Sequence, residues 1–202
     1  MKNPVYKIQI DDITIRCPEV SDAQAQKEAI DSSLEHLHEY MPWSYEHPQP
    51  INKLEALLKV WKEDYLNDKT YNVLVLRGKK VIASSGFHIP IDEHTLEIGY
   101  YVRADELRKN IATKVSLALT YVALNFIKVK SVEIRHNIKN IASAKIPLKL
   151  KYKRVENYFN KDDGGENGRW IMDKKLLLEN KVYLRSLYET IAFYDVDGKD
   201  LA

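Results

Sequence analysis

The spacing of hydrophobic residues along the chain separates strand-like from helix-like segments. A period of two is typical of half-buried strands, and apolar positions three or four apart are typical of amphipathic helices. Alternation predicts two short strands over 5–17, and then strands at 71–77, 80–89, 94–102, 131–137, 152–159 and 169–178. Helical spacing predicts helices at 22–40, 52–67, 111–127 and 140–150.

Turn-forming and helix-ending residues fall between these segments. Pro42 ends the first helix, and the three prolines of 42–50 predict a loop. Turns are predicted at 77–79 and 162–168. The resulting order of strands and helices predicts an α/β mixed sheet with helices on both faces. A right-handed crossover places strands 94–102 and 131–137 side by side and parallel.

The last part of the chain carries a separate apolar pattern. Leu184, Leu187, Tyr188 and Ile191 fall at helical spacing and form one stripe. We therefore expect a main domain over 1–178 and a C-terminal helical extension over 179–202. The stripe favours packing of the extension on its own domain over packing on a second subunit.

Composition narrows the class of protein. Of 202 residues, 45% are hydrophobic and 30% are charged, a balance that argues against disorder. No apolar run reaches the length of a membrane span, and residues 1–4 lack the apolar core of a signal peptide. The single cysteine, Cys17, fits a reducing compartment, so we expect a cytoplasmic protein without membrane partners, either a monomer or a homodimer.

The charge balance bears on nucleic acids and metals. A net charge of +2 shows no broad basic excess, so nucleic acid is not expected as a partner, although basic residues crowd the stretch 128–154. His88 and His94 flank a hairpin but lack supporting cysteine or carboxylate spacing, so no metal site is predicted.

Four motifs in a fixed order resemble those of a known superfamily. They are 13–16 with Asp22 and 37–43; Glu97-Ile98-Gly99-Tyr100-Tyr101-Val102; the loop 107–113; and Asn140-Ile141-Ala142-Ser143 with Leu150-Lys151-Tyr152. Together they resemble the GNAT superfamily of acyl-CoA-dependent N-acetyltransferases, and within it the RimJ/RimL-type branch that acetylates ribosomal-protein N-termini. The resemblance covers residues 8–178.

This resemblance implies a fold and an activity. The implied fold is the GNAT N-acyltransferase fold, a mostly antiparallel sheet with one parallel, splayed strand pair. The implied activity is acetyl transfer from acetyl-CoA to a primary amine, without a metal. The acceptor could be a peptide α-amine, a polyamine or an aminoglycoside-like molecule. The alternative is a catalytically weakened GNAT-fold module that binds or regulates.

The resemblance also assigns the acetyl-CoA site. The loop precedes a helix N-terminus, where backbone N–H groups favour a pyrophosphate. The cofactor-binding residues are then Tyr101, Val102, Leu107, Arg108, Lys109, Asn110, Ile111, Ala112, Thr113 and Asn140. Arg108, Asn110 and Lys151 stand where the superfamily usually has glycine. Asn110 tolerates the left-handed backbone region, and Arg108 and Lys109 can pair with phosphate directly. A helix-capping polar loop is the simpler interpretation.

The same motifs suggest the catalytic and acceptor residues. Glu97 is the candidate base, with ordered water as the alternative. Ser143 is the candidate donor to the departing thiolate, although Asn140 and Ser143 also suit a helix cap without a ligand. Pro147 removes the N–H that would bond the Ser143 carbonyl, which predicts a distorted first turn. Trp43 and Tyr45 are candidate acceptor-binding residues, or a hydrophobic staple under the proline-rich loop.

Overall fold

A twisted sheet forms the centre of the molecule. The computed structural model describes residues 2–92, 94–161 and 164–201. In this part of the chain the sheet has ten strands, all paired antiparallel except for one parallel pair. The strands are β1 (Lys7–Ile10), β2 (Ile13–Arg16), β3 (Tyr71–Arg77), β4 (Lys80–Asp92), β5 (Thr95–Val102), β6 (Ser131–Asn137), β7 (Lys153–Arg154), β8 (Tyr158–Asn160), β9 (Gly165–Asp173) and β10 (Ile191–Tyr194). Their order is β10-β1-β2-β3-β4-β5-β6-β9-β7, and β8 also pairs with β9.

Helices cover both faces of the sheet. The α-helices are α1 (Ala23–Asp31), α2 (Leu34–Leu37), α3 (Ile51–Leu66), α4 (Ile111–Tyr121), α5 (Ile141–Lys149), α6 (Lys174–Glu179) and α7 (Lys181–Arg185). A π-helical segment, Val122–Ile127, continues α4, and short 3-10 helices span Val20–Asp22, Pro42–Glu46 and Ala104–Glu106. None of the helices in the described residues is both long and apolar enough to cross a bilayer.

The central strand β3 shows why the sheet lies between two helical layers. Val73 and Val75 belong to the core that includes α4, whereas Leu74 and Leu76 pack in a cluster with Ala29 of α1. Successive side chains of a strand point to opposite faces, so an uninterrupted apolar run is buried on both sides. The predicted mixed sheet with helices on both faces is confirmed.

The parallel pair of strands separates partway along its length. β5 and β6 pair only where Thr95–Glu97 faces Ser131–Glu133. Beyond this point β5 remains paired with β4, and β6 remains paired with β9. The two strands therefore diverge directly after Glu97 and open a wedge in the sheet. The predicted crossover and its parallel, splayed pair are confirmed.

The predicted helix 22–40 is wrong in its continuity, because it breaks between α1 and α2. The Ser33 hydroxyl donates to the Ala29 carbonyl at 2.6 Å, and the Ser33 N–H bonds the Ile30 carbonyl instead. A serine that bonds back to the preceding turn competes with regular helical pairing. The same hydroxyl accepts a hydrogen bond of 3.0 Å from the Ala104 N–H. This bond links the helix break to the segment that follows the last residue of β5.

Two predicted strands near the end of the sheet also differ from the structure. The predicted strand 152–159 is interrupted, and its parts β7 and β8 lie along the same edge of β9. The predicted strand 169–178 starts earlier and stops at Asp173, whose side chain accepts the Leu176 N–H at 2.7 Å and caps α6. Of the predicted turn 162–168, residues 162 and 163 lie outside the described residues, and β9 already begins at Gly165.

The apolar stripe in the tail is not one helix. Leu184 lies in α7 and is buried, whereas Ile191 begins β10, which pairs antiparallel with β1. Leu187 and Tyr188 pack against the main core between these elements. In this structure the tail packs against the main core, and its last apolar positions extend the sheet instead of a helix.

Candidate active site

A cavity of about 650 Å³ opens where β5 and β6 separate. One wall is the stretch from Glu97 to Tyr101 on β5, and the other includes Arg135 and Asn137 on β6. Trp43 in the 3-10 helix Pro42–Glu46 and the side of α3 cover part of the opening. This volume lies within the usual range for small-molecule sites, and the wedge between the strands creates it.

Glu97, the candidate base, lies in the cavity wall at the last paired position of β5. Its side chain is 23% exposed. Burial raises the pKa of this carboxyl above its usual value, while the positive charge of Arg135 and the nearby His88 act in the opposite direction. A carboxylate with a raised pKa accepts a proton more readily near neutral pH than an ordinary glutamate does.

Next to Glu97 lies a network of ion pairs that the sequence did not indicate. Glu133 is 1% exposed and receives bonds from Arg135 Nε at 3.0 Å and Arg169 Nε at 2.9 Å. A second Arg169 nitrogen bonds the other carboxylate oxygen of Glu133. Burial alone would raise the pKa of Glu133, but the hydrogen bonds from Arg169 and Arg135 outweigh it and lower this pKa. Glu133 is therefore a fixed negative charge.

Ser143, the candidate thiolate donor, faces the same cavity from α5. Its hydroxyl lies 2.9 Å from the hydroxyl of Tyr100 on β5. Burial raises the pKa of Tyr100 to about 12, so this hydroxyl keeps its proton at neutral pH. Asn140 accepts the Ser143 N–H at 2.9 Å and so caps α5. The structure thus brings Glu97, Tyr100, Ser143 and Asn140 together around one cavity.

Pro147 does not disturb α5, which contrasts with the predicted distortion. The helix runs from Ile141 to Lys149 with the proline inside it. The Ser143 carbonyl, which an N–H at position 147 would have bonded, lies 3.5 Å from the Tyr100 hydroxyl. The Tyr100 hydroxyl on the neighbouring strand therefore approaches both the carbonyl and the hydroxyl of Ser143.

The loop 107–113 keeps a glycine-like backbone without glycines. Arg108 has φ of 63° and Asn110 has φ of 60°, both in the left-handed region. Lys151, the third position where the superfamily usually has glycine, has φ of 62°. The backbone thus takes the conformation that glycine would favour, at a cost in strain that asparagine bears better than arginine or lysine.

Some polar groups of this loop already have hydrogen-bond or ion-pair partners within the described part of the protein, and others do not. Lys109 lies 3.1 Å from Glu106, which also pairs with Arg77 and Lys80, so Lys109 is not free for a phosphate. Arg108 is exposed and has no ion-pair partner among the described residues. Within the same residues, no backbone bond uses the N–H groups of residues 108–110, and α4 begins directly afterwards. The loop therefore presents N–H groups and one unpaired cation.

The structure separates the two candidate acceptor residues. Trp43 lines the cavity, and its ring centroid lies 5.6 Å from that of Tyr101. Tyr45 is 69% exposed, stacks on His38 at 4.3 Å and does not belong to the cavity wall. The Tyr101 side chain packs in the core of α1 and α3, so any role in cofactor binding falls to its backbone. The Val102 carbonyl accepts a bond from His36 at 3.1 Å.

His88 and His136 line the cavity, a position that the sequence did not predict for either histidine. A Cβ on Gly99 would lie 2.0 Å from His88 Nε2, so only glycine lets this imidazole lie across β5. The Trp170 N–H donates to His136 Nε2 at 2.9 Å, and His136 Nδ1 bonds the Asn137 carbonyl. Burial lowers the pKa of His136, so it is a neutral structural histidine. The sequence carries one signal for the position of His88, namely Gly99 on the paired strand, which lies diagonal to it.

Comparison with known proteins places the chain in a family. A family model described as the acetyltransferase (GNAT) domain matches residues 12–153. A search of curated protein sequences finds no significant match. The microcin C7 self-immunity acetyltransferase MccE, solved with acetyl-CoA and AMP, is similar in structure, with 18% identity and a TM-score of 0.73 over 81% of this chain and 93% of MccE.

Two ribosomal-protein acetyltransferases are also similar in structure. RimL, solved with coenzyme A, is 11% identical with a TM-score of 0.75, over 83% of this chain and 97% of RimL. Mycobacterium smegmatis RimJ, solved with a CoA disulfide, is 11% identical with a TM-score of 0.77, over 91% of this chain and 93% of RimJ. At these identities the likeness concerns the fold. Because the family model covers more than half of the chain, the protein belongs to the GNAT acetyltransferase-domain family.

Proposed function

We propose that this GNAT-family acetyltransferase transfers the acetyl group of acetyl-CoA directly to a primary amine in a ternary complex. The observation that carries the proposal is the divergence of β5 and β6 immediately after Glu97, which opens the cavity beside a half-buried carboxyl. The Tyr100–Ser143 hydroxyl pair reaches the same cavity, so a proton acceptor and proton donors are available to one bound thioester.

The residues of the loop fit the cofactor. A pyrophosphate needs closely approaching N–H groups, and the left-handed backbone at Arg108 and Asn110 gives the loop the path that glycine would give. Arg108 adds an unpaired charge, and Lys149 holds the Asn110 side chain at 2.9 Å. The acyl arm would follow the edge of β5 that β6 leaves unpaired beyond Glu97. Asn140 at the start of α5 would contact the same arm.

Each catalytic residue has a defined task in this reaction. Glu97 takes a proton from the acceptor ammonium, and the neutral amine then attacks the thioester carbon. The nitrogen then loses its second proton to solvent, the carbon–sulfur bond breaks, and the CoA thiolate leaves. Ser143, backed by Tyr100, donates a hydrogen bond to the departing sulfur; neutral hydroxyls suffice because a thiolate is a good leaving group.

The wall around Trp43 would receive the acceptor. Trp43 and Trp61 supply aromatic surface, and Asn72 and Gln49 supply amide groups. The RimL and RimJ likeness keeps a peptide α-amine among the acceptors, together with polyamines and aminoglycoside-like amines. A reducing compartment such as the cytoplasm suits the lone Cys17, which is buried.

A thiol-release assay tests the proposal directly. Acetyl transfer liberates the CoA thiol, and the chain itself contributes little background because Cys17 is 0% exposed and burial raises its pKa to about 11. Peptides with a free α-amine, spermidine and an aminoglycoside are offered in parallel, each beside its N-acetylated form. We expect thiol release with at least one free amine and none with its blocked form.

Thermal unfolding with acetyl-CoA separates binding from turnover. A ligand that binds only the folded state raises the melting temperature by mass action. A rise without thiol release from any amine would indicate a binding or regulatory module, and no rise with acetyl-CoA or CoA would contradict the cofactor assignment.

A further inference from the structure

Glu97 depends on its surroundings for charge and position. It is held at the end of the β5–β6 pairing, where burial works against its charged form. A base must be ionised when the protonated amine arrives, because only the carboxylate can take the proton. The neighbouring groups that favour the charged form of Glu97 therefore bear directly on its role as base.

The groups that face Glu97 come from four strands. Its direct cross-strand partner on β4 is His88. On β6 it faces Glu133 and Arg135, with Arg135 Nε at 3.4 Å from Glu97 Oε2. Arg169 on β9 adds a second guanidinium, and the ring of Tyr158 on β8 contacts Arg135. The charges of Glu133, Arg135 and Arg169 sum to one net positive charge beside Glu97.

Arg135 is held in place from two sides. Glu133 accepts its Nε at 3.0 Å and its terminal nitrogen at 2.9 Å. The Tyr158 ring lies under the guanidinium at 5.1 Å. Arg135 and Arg169 are also direct cross-strand partners, an arrangement of like charges that is unfavourable without a counter-charge. The fully buried Glu133 supplies that counter-charge to both guanidinium groups.

We propose that Arg135, fixed by Glu133, is a positioning residue that keeps the Glu97 carboxylate charged and aimed into the cavity. This inference rests on the proposed function for its catalytic meaning. Arg135 lies 3.4 Å from Glu97 but within 3.0 Å of Glu133. Glu133 therefore fixes the position of the guanidinium, which acts on Glu97 mainly through its charge. The carboxylate thereby remains available to the incoming ammonium.

Two readouts test this role, one of them without any acceptor. In 13C-glutamate NMR, with the Glu97 signal assigned by its loss in Glu97→Gln, Arg135→Gln should raise the pKa of Glu97 by about one pH unit or more. Arg135→Lys, which retains the positive charge, should bring the pKa of Glu97 back most of the way to its wild-type value. Arg154→Gln is the matched control: it removes the same charge from a side chain that stacks on Trp170 at 4.9 Å and does not face Glu97.

The second readout is the pH profile of acetyl transfer. In Arg135→Gln the acid limb of kcat/KM for the amine should move to higher pH by about as much as the pKa of Glu97, and activity should recover toward wild type at alkaline pH. A uniform loss at every pH, or an equal effect of Arg154→Gln, would overturn the positioning role. A wild-type protein that transfers no acetyl group would contradict the proposed function, and the NMR titration would still decide whether Arg135 sets the charge of Glu97.

Discussion

Replacing Arg108 by glycine should stabilise the folded protein. Arg108 has φ of 63°, and a left-handed backbone costs a residue with a Cβ about 1–2 kcal/mol. Glycine removes that cost but adds about 0.5–1 kcal/mol of conformational freedom to the unfolded chain. The Arg108 side chain is exposed and makes no ion pair with the described residues, so little else is lost. The expected net gain is about 0.5–1 kcal/mol.

Thermal unfolding of Arg108→Gly against wild type measures this gain. For a chain of this size, 1 kcal/mol corresponds to about 2–4 °C, so Tm should rise by about 1–4 °C. Arg108→Ala keeps the Cβ and removes the same charge, so it should leave Tm nearly unchanged. Gly78→Ala is the mirror control, because Gly78 has φ of 59° with nothing within 4 Å of an added Cβ, and it should lower Tm.

Two outcomes would refute the reasoning about the loop. Equal rises for Arg108→Gly and Arg108→Ala would assign the gain to the removed charge. An unchanged Tm for Arg108→Gly, together with the expected fall for Gly78→Ala, would mean that the loop backbone is not left-handed at Arg108 in solution.

Four further outcomes can be measured on the same protein. Arg108→Ala should weaken CoA binding by about 1.5–3 kcal/mol in calorimetry with kcat little changed; an unaltered affinity would remove Arg108 from the phosphate site. Glu97→Gln should lower kcat about 10²–10⁴-fold at neutral pH, and the deficit should shrink at high pH, where solvent deprotonates the amine; full activity at neutral pH would leave water as the base. Ser143→Ala and Tyr100→Phe should each lower kcat about tenfold with unchanged acetyl-CoA affinity, and a strictly additive double variant would argue against a shared donor. Burial alone would raise the pKa of Glu106, but hydrogen bonds from Lys80, Lys109 and Arg77 lower it from 4.5 to about 2. Its stabilising effect is therefore present above about pH 4.5 and is lost toward pH 2, so Glu106→Gln should cost about 3 kcal/mol at pH 7 in urea unfolding, with the difference from wild type vanishing in acid.

Hydrophobic patterns in short segments predicted the order of strands and helices and the parallel strand pair. The alternation in 94–102 and 131–137, with one helix between them, was enough to predict the parallel pair, because crossovers in a sheet are right-handed. The motif beginning at Glu97 then placed a carboxyl beside the cavity. The break of the first helix escaped the pattern, since it depends on Ser33 bonding both to the preceding turn and to the distant Ala104.

The network beside Glu97 could not be read from the sequence. Glu133 and Arg135 alternate with buried residues, as solvated charges on a half-exposed strand also do. Their meaning depends on the register of β6 against β9, which places Arg169 opposite Arg135 across a separation of 34 residues. The motif marks Arg108 as a position where the superfamily usually has glycine, but the arginine itself gives no sign of a left-handed backbone, which the chain on either side imposes.

The pairing of β10 with β1 determines which strand lies at the outer edge of the sheet. β1 would otherwise be the outer strand of the sheet, and its inward residues Ile8 and Ile10 are almost fully buried. An open strand edge beside such residues is a template for pairing with other chains. β10 covers that edge, although it lies beyond the residues that match the family model. A chain shortened to residues 1–178 would thus retain the cavity and expose the edge of β1, beside its apolar inward residues, to pairing with other chains.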